Sequence, residues 1–251
     1  TNKSRKSIKW KRNKEIYWGI SIDNMNYIFI SYGLTFIALI ITLLAQAFVS
    51  GSYSKYSKIK NEKELTGKEV ARHILDKHGL FDIDVVETGG YLSDHYDPKN
   101  KVIRLSKNNY RESSIASVAV ACHECGHAIQ DKEKYSFFKI RSLLVPVVNF
   151  SSYAGYVAML LGCLFGSLNL IWIGIIAEIV ILLFQLVTLP VEINASRKGL
   201  KELENSNYLT NHELIGGKVM LSAAASTYVA SVASTVIEII RLIFLFGRND
   251  D

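Results

Sequence analysis

The sequence predicts a mainly α-helical, multi-pass membrane protein, a helical bundle that carries one small α+β unit. Three observations predict it. Apolar residues make up 49% of the chain, and they fall in long uncharged blocks instead of being spread as a single globular core requires. Charged residues gather between those blocks, chiefly in residues 51–142, where the patterning changes from helix to strand and back. That interval also holds His123-Glu124-Cys125-Gly126-His127, the H-E-x-x-H spacing by which one helix offers two imidazoles to a metal ion.

The elements follow in chain order. Residues 1–24 form a basic tail with seven Lys or Arg, and Met25 offers a start that would make the tail an extension. Residues 25–50 are the first membrane helix. Its positions 27–49 carry no charge, enough to span about 30 Å of hydrocarbon and too long for the apolar core of a cleaved signal. Residues 51–142 open on a charged stretch, 54–64, that reads as a solvated linker. Thr66 and Glu69 then form a capping box, in which the hydroxyl accepts from the third amide and the carboxylate reaches back. Val70, Ile74 and Leu75 follow at helical spacing and Gly79 stops the helix. Residues 82–88 are a short β-branched strand, Gly89-Gly90 turns the chain, and "KVIRL" (101–105) alternates as a second strand. Ser113 or Ser114 caps a helix from Ile115 to Gln130 that carries the motif.

Residues 143–189 are a hairpin of two membrane helices joined at Gly166-Ser167. Glu178 is the one charge in its second arm, expected to be protonated or paired within the bundle because an ionised carboxylate is costly there. Pro190 restarts a helix over residues 190–218. A second capping box, Thr210 with Glu213, begins the last helix, so residues 219–251 are a C-terminal membrane helix and tail. Its apolar block, 219–237, is rich in Ala and Ser and is the weakest of the four.

Composition excludes several classes. The net charge of +6 would suit nucleic acid, but the Lys and Arg residues flank membrane spans and are not interleaved with exposed aromatics. Contact with anionic lipid head groups accounts for them. Three cysteines do not make a disulfide scaffold. Cys122 and Cys125 fall on the helix side opposite the two histidines, so a C-x-x-C metal or redox pair cannot share their ion, and both are expected to be small buried apolar groups.

On a helix, His123 and His127 lie about 40° apart, and both imidazoles reach one zinc ion. Glu124 sits beside that face, where a base can hold water in the ion's open position. A catalytic zinc takes three protein ligands. The third should be a His, Asp or Glu near the membrane face that carries the motif. Glu192 is best placed, because two spans return the chain to the side it left. His73, His78, His95 and His212 are the other candidates. "LSDHYDP" reads as a turn, with an alternative in which His95 or Tyr96 enters the cleft and stabilises an oxyanion.

The stretches "LTGKEVARHILDKHGL", "LSDHYDP", "KVIRLS", "HECGHAIQ", "RSLLVPV" and "FQLVTLPVEINASR" together resemble the bacterial YugP-type membrane zinc metallopeptidases over roughly residues 26–248. More distantly the layout is similar to the CaaX-prenyl-protease and heat-shock membrane-protease clan. The resemblance implies a gluzincin-like fold for the α+β unit and one Zn²⁺ held by His123, His127 and Glu192, with Glu124 as general base. The clan commonly has an acidic residue four after its ligand glutamate. Here that position is Ser196, and the orienting role is expected to pass to Asn194 or Arg197.

The chain thus reads as an integral membrane zinc endopeptidase acting on peptides or membrane proteins at the bilayer surface, with "KVIRL" as an edge strand for an extended substrate. The alternative is a zinc-binding membrane adaptor or sensor without turnover, against which an intact Glu124 argues. A transporter would place its ligands within the spans. The charge bias puts residues 51–142 in the cytoplasm, since residues 50–142 carry 16 Lys or Arg and the hairpin tip none. The seven basic residues of the tail pull the other way.

Overall fold

The computed structural model describes residues 22–247, so the expected tail of residues 1–24 lies, apart from its last three residues, outside them. Four long helices dominate: α1 (Ile22–Tyr56), α5 (Ser136–Phe165), α6 (Leu168–Asn205) and α7 (Asn211–Phe246). Each is long and apolar enough to cross a membrane. Between α1 and α5 lie α2 (Gly67–Lys77), β1 (Asp84–Thr88), β2 (His95–Asp97), β3 (Val102–Ser106), α3 (Lys107–Arg111) and α4 (Ile115–Lys132).

Small residues set the helix contacts, as expected where apolar side chains gain nothing by leaving lipid. Gly166 adopts φ +65° and ends α5. Back along the hairpin, a Cβ on Gly155 would lie 2.4 Å from the Ala177 Cβ, and one on Gly162 2.8 Å from Ile171 Cγ1. α1 packs along α7 and α7 along α6, with the Thr42 and Ser234 hydroxyls 3.0 Å apart. Outward side chains such as Phe36, Leu44, Phe150 and Leu164 are exposed, which suits contact with acyl chains.

Two elements differ from the sequence reading. α6 is a single helix that continues through Pro190, so the third span and the expected Glu192 helix are one element. Proline removes one backbone bond, but packed membrane helices tolerate the loss, and Pro146 is likewise internal to α5. The stretch 54–64 is mostly exposed, as a solvated linker should be, but it is tied down. α1 extends to Tyr56, Asn61 is buried, and the backbone is tied to the cap of α4 through Asn61 N to Ser113 O and Ile115 N to Ile59 O.

The sheet has the order β1-β3-β2. β1 pairs with β3 in parallel and β2 pairs with β3 antiparallel. "KVIRL" is therefore the central strand and not an edge. Its burial explains why: Val102, Ile103 and Leu105 are all buried, so both faces are covered, as befits a strand with neighbours on both sides. Residues 95–97, read as part of a turn, form the edge strand β2. The turn follows directly, with Asp97 Oδ1 accepting from Lys99 N at 3.0 Å and Asn100 N at 3.2 Å.

α4 is the centre of this unit. Ser114 caps it, accepting from Ser117 N at 3.0 Å, and nearly the whole helix is buried. α2 begins at the Thr66–Glu69 capping box and lays Val70, Ala71, Ile74 and Leu75 against α4. On its other side α4 packs against α6.

Candidate metal centre

The α4–α6 contact positions the site. A Cβ on Gly126 would lie 2.4 Å from the Ala195 carbonyl oxygen, and one on Gly199 2.9 Å from that of Cys122. Only glycine lets the two backbones approach this closely, and the approach brings Glu192 of α6 beside His123 and His127 of α4. Glu192 Oε2 is 3.3 Å from His123 Nε2 and 3.5 Å from His127 Nε2. The three candidate ligand atoms all lie within 4.8 Å of one another.

The chemistry of the three suits a zinc ion. Glu192 is 1% exposed, yet neither of its carboxylate oxygens has a hydrogen-bond partner among the described residues. A buried carboxylate left so is costly unless a cation compensates it. Bonds of about 2.0–2.1 Å at tetrahedral angles place ligand atoms about 3.3–3.4 Å apart, close to the two spacings observed. Arg141 of α5 is the nearest fixed cation, its Nη2 3.4 Å from Glu192 Oε1.

Each imidazole is held by its other nitrogen. His123 Nδ1 lies 3.2 Å from Ser196 Oγ. His127 Nδ1 donates to Gln130 Oε1 at 3.0 Å, and the Gln130 amide is itself fixed, donating to Val191 O at 2.8 Å and Asn194 Oδ1 at 2.9 Å. Such contacts set the ring orientation and tautomer of a metal-binding histidine. Burial disfavours charge on His123, but the Glu192 and Glu124 carboxylates outweigh it and hold its pKa above the usual imidazole value.

A cleft of about 340 Å³ opens over these residues, lined by His123, Glu124, His127 and Glu192 and walled by residues of β2, α5 and α7. Glu124 thus faces the same space as the three candidate ligands. His95 lines it too, with its Nδ1 2.8 Å from Ser93 O. Tyr96 also reaches the cleft, but its hydroxyl donates to Asp131 Oδ2 at 2.8 Å; burial and that bond push its pKa far up. Asn194 supports His127 through Gln130, whereas Arg197 has no hydrogen bond or ion pair among the described residues. The atom beside His123 Nδ1 belongs to Ser196 itself, the position from which the orienting role was expected to pass to Asn194 or Arg197.

Three residues around the site escaped the sequence reading. Gln130 was within reach, lying one turn beyond His127. Arg141 reads as an ordinary basic residue at a membrane face, and Tyr228 of α7, which also lines the cleft, sits in the weakest apolar block with no motif around it. The remaining histidines are elsewhere: His78 pairs with Glu202 at 2.9 Å, and His73 stacks on Tyr208. Cys122 and Cys125 are fully buried away from the cleft. Burial raises both thiol pKa values well above normal, which removes them as thiolate ligands.

Comparison with known proteins agrees with this chemistry. The chain is 44% identical to the "Putative membrane protease YugP" of Bacillus subtilis (strain 168) over 220 residues, which is 87% of this chain and 98% of that protein. No solved structure matches the chain. Residues 31–247 match the family described as "Putative neutral zinc metallopeptidase", and the chain belongs to that family.

Proposed function

We propose that the protein is an integral membrane zinc-dependent endopeptidase. One observation carries the reading: His123, His127 and Glu192 converge from two helices, the buried Glu192 carboxylate accepts no hydrogen bond among the described residues, and Glu124 faces the same cleft. Family membership and a relative named as a membrane protease support it. Two histidines of one helix plus a glutamate from a later one form a gluzincin-like set.

In this reading His123, His127 and Glu192 would hold one zinc ion. A zinc ion there supplies Lewis acidity, polarising the scissile carbonyl and making a water acidic enough to ionise near pH 7. Glu124 takes the proton from the attacking water and delivers it to the leaving amine. Ser196 and Gln130 keep the imidazoles turned inward throughout. Arg141, His95 and Tyr228, all in the cleft wall, are donors available to developing negative charge. β2, not β3, is the strand edge that an extended peptide meets beside the cleft. The unit formed by α2 to α4 faces the cytoplasm.

Glu124→Gln tests the mechanism. It should keep one zinc per chain, measured by metal analysis, and lose peptide cleavage by about 10²–10⁴-fold. Cleavage at the parent rate would sink the proposal and favour a metal-binding adaptor.

A further inference from the structure

The cleft over the candidate ligands adjoins a groove between the long helices. α5 and α7 each pack along α6 but not along each other, which leaves a groove floored by α6. At its upper end Arg141, Val145 and Tyr228 line the cleft itself. Lower down, a second cavity of about 340 Å³ is lined by Ser152 and Tyr156 of α5, Glu178 of α6, and Glu238 and Arg241 of α7. On α5, Arg141, Val145, Ser152 and Tyr156 fall within about 60° of one another around the helix, so one face lines both cavities.

One face of α6 links the two cavities. Glu178, Gln185, Thr188 and Glu192 follow one another at intervals of seven, three and four residues, a single stripe on α6. Glu178 lines the second cavity and Glu192 the first, whereas Gln185 Oε1 and Thr188 Oγ1 between them are enclosed by the helix packing. The charges are unbalanced. Arg241 is paired with Glu238, with its Nε 2.8 Å from Oε2. Glu178 has no hydrogen bond or ion pair among the described residues. Glu178 is ten residues from Leu168 at the hairpin tip, about 15 Å of helix and roughly half the hydrocarbon thickness.

We propose that this groove is the docking site for a transmembrane segment of the substrate, one that carries a basic side chain at mid-membrane depth. The side chain pairs with Glu178, and the segment's membrane-surface end lies in the catalytic cleft. A lipid tail would leave the Glu178 carboxylate unmet, whereas a Lys or Arg that is costly in lipid gains by entering the groove. The proposal names the substrate class of the peptidase reading and rests on it.

The test uses the full chain, made inactive by Glu124→Gln, in nanodiscs, with a photo-cross-linking residue at Ser152 or, as control, at Phe36 on the outer side of α1. The probe is a synthetic Leu-Ala helix with one central lysine. It should cross-link at 152 at least about fivefold more than at 36. Replacing its lysine by leucine, or Glu178→Leu in the protein, should abolish that preference, and restoring a carboxylate with Glu178→Asp should recover part of it. Equal cross-linking at both positions, or a preference indifferent to lysine and to Glu178, overturns the proposal and leaves a groove filled by lipid. The peptidase reading is judged separately, by zinc-dependent cleavage of a soluble peptide by the parent protein and its loss in Glu124→Gln. Failure of one therefore does not imitate failure of the other.

Discussion

Glu192 sits between two imidazoles and a guanidinium with no hydrogen bond of its own, so its removal and its neutralisation have different signatures from those of Glu124. Glu192→Ala should lower zinc occupancy as well as activity, read by metal analysis after dialysis against a weak chelator. An unchanged zinc content would remove it from the ligand set. Gln130 is the more exacting case, because it touches no candidate metal position. Gln130→Ala frees His127 Nδ1 and breaks the tie to Val191 and Asn194. It should weaken zinc binding by about 10–100-fold, the usual cost of losing such a partner, as measured by competition with a fluorescent chelator. At this scale the motif was legible because His123, Glu124 and His127 are neighbours in the chain and helix geometry alone sets their faces. Ser196 was legible only as a departure, since a hydroxyl 3.2 Å from His123 Nδ1 depends on how two helices cross.

The crossing of α4 and α6 depends on Gly126 and Gly199, each facing a backbone carbonyl of the other helix. Gly126→Ala forces a methyl against the Ala195 oxygen, and overpacking of this kind costs about 1–3 kcal/mol. The helices must separate, so the variant should melt at lower temperature in detergent and also bind zinc less tightly. If it melted lower but bound zinc like the parent, the glycine would serve packing alone. The same element scale shows what sequence patterning can and cannot resolve. Capping boxes at Thr66 and Thr210 and the Ser114 cap were readable because each is built within four residues. The central place of β3 was not, because alternation in "KVIRL" cannot tell whether one neighbour or two will pair with it. Pro190 misled for a related reason: its local effect is to end a helix, and only the packing of α6 against α4, α5 and α7 overrides it.

For the whole molecule, the proposed orientation turns on charge. A single cysteine at Lys58, in a chain whose Cys163 is replaced, should resist a membrane-impermeant thiol reagent added to intact cells, while one at Ser167 in the hairpin tip should react. The opposite pattern would turn the molecule over. The four spans were legible from apolar length alone, but the way in which they enclose the cleft was not, because Tyr228 and Arg141 meet only after α6 has brought α5 and α7 to its two sides. The unbroken α6 has a mechanical consequence. Glu192 is 24 residues from Leu168, about 36 Å along a rigid rod whose apolar part must match the bilayer. Thinner or thicker bilayers tilt such a helix, and here tilting moves one candidate ligand relative to the two on α4. Peptide turnover in vesicles of graded acyl-chain length should therefore peak at one thickness and fall on either side, which would make the site a gauge of the membrane that holds it.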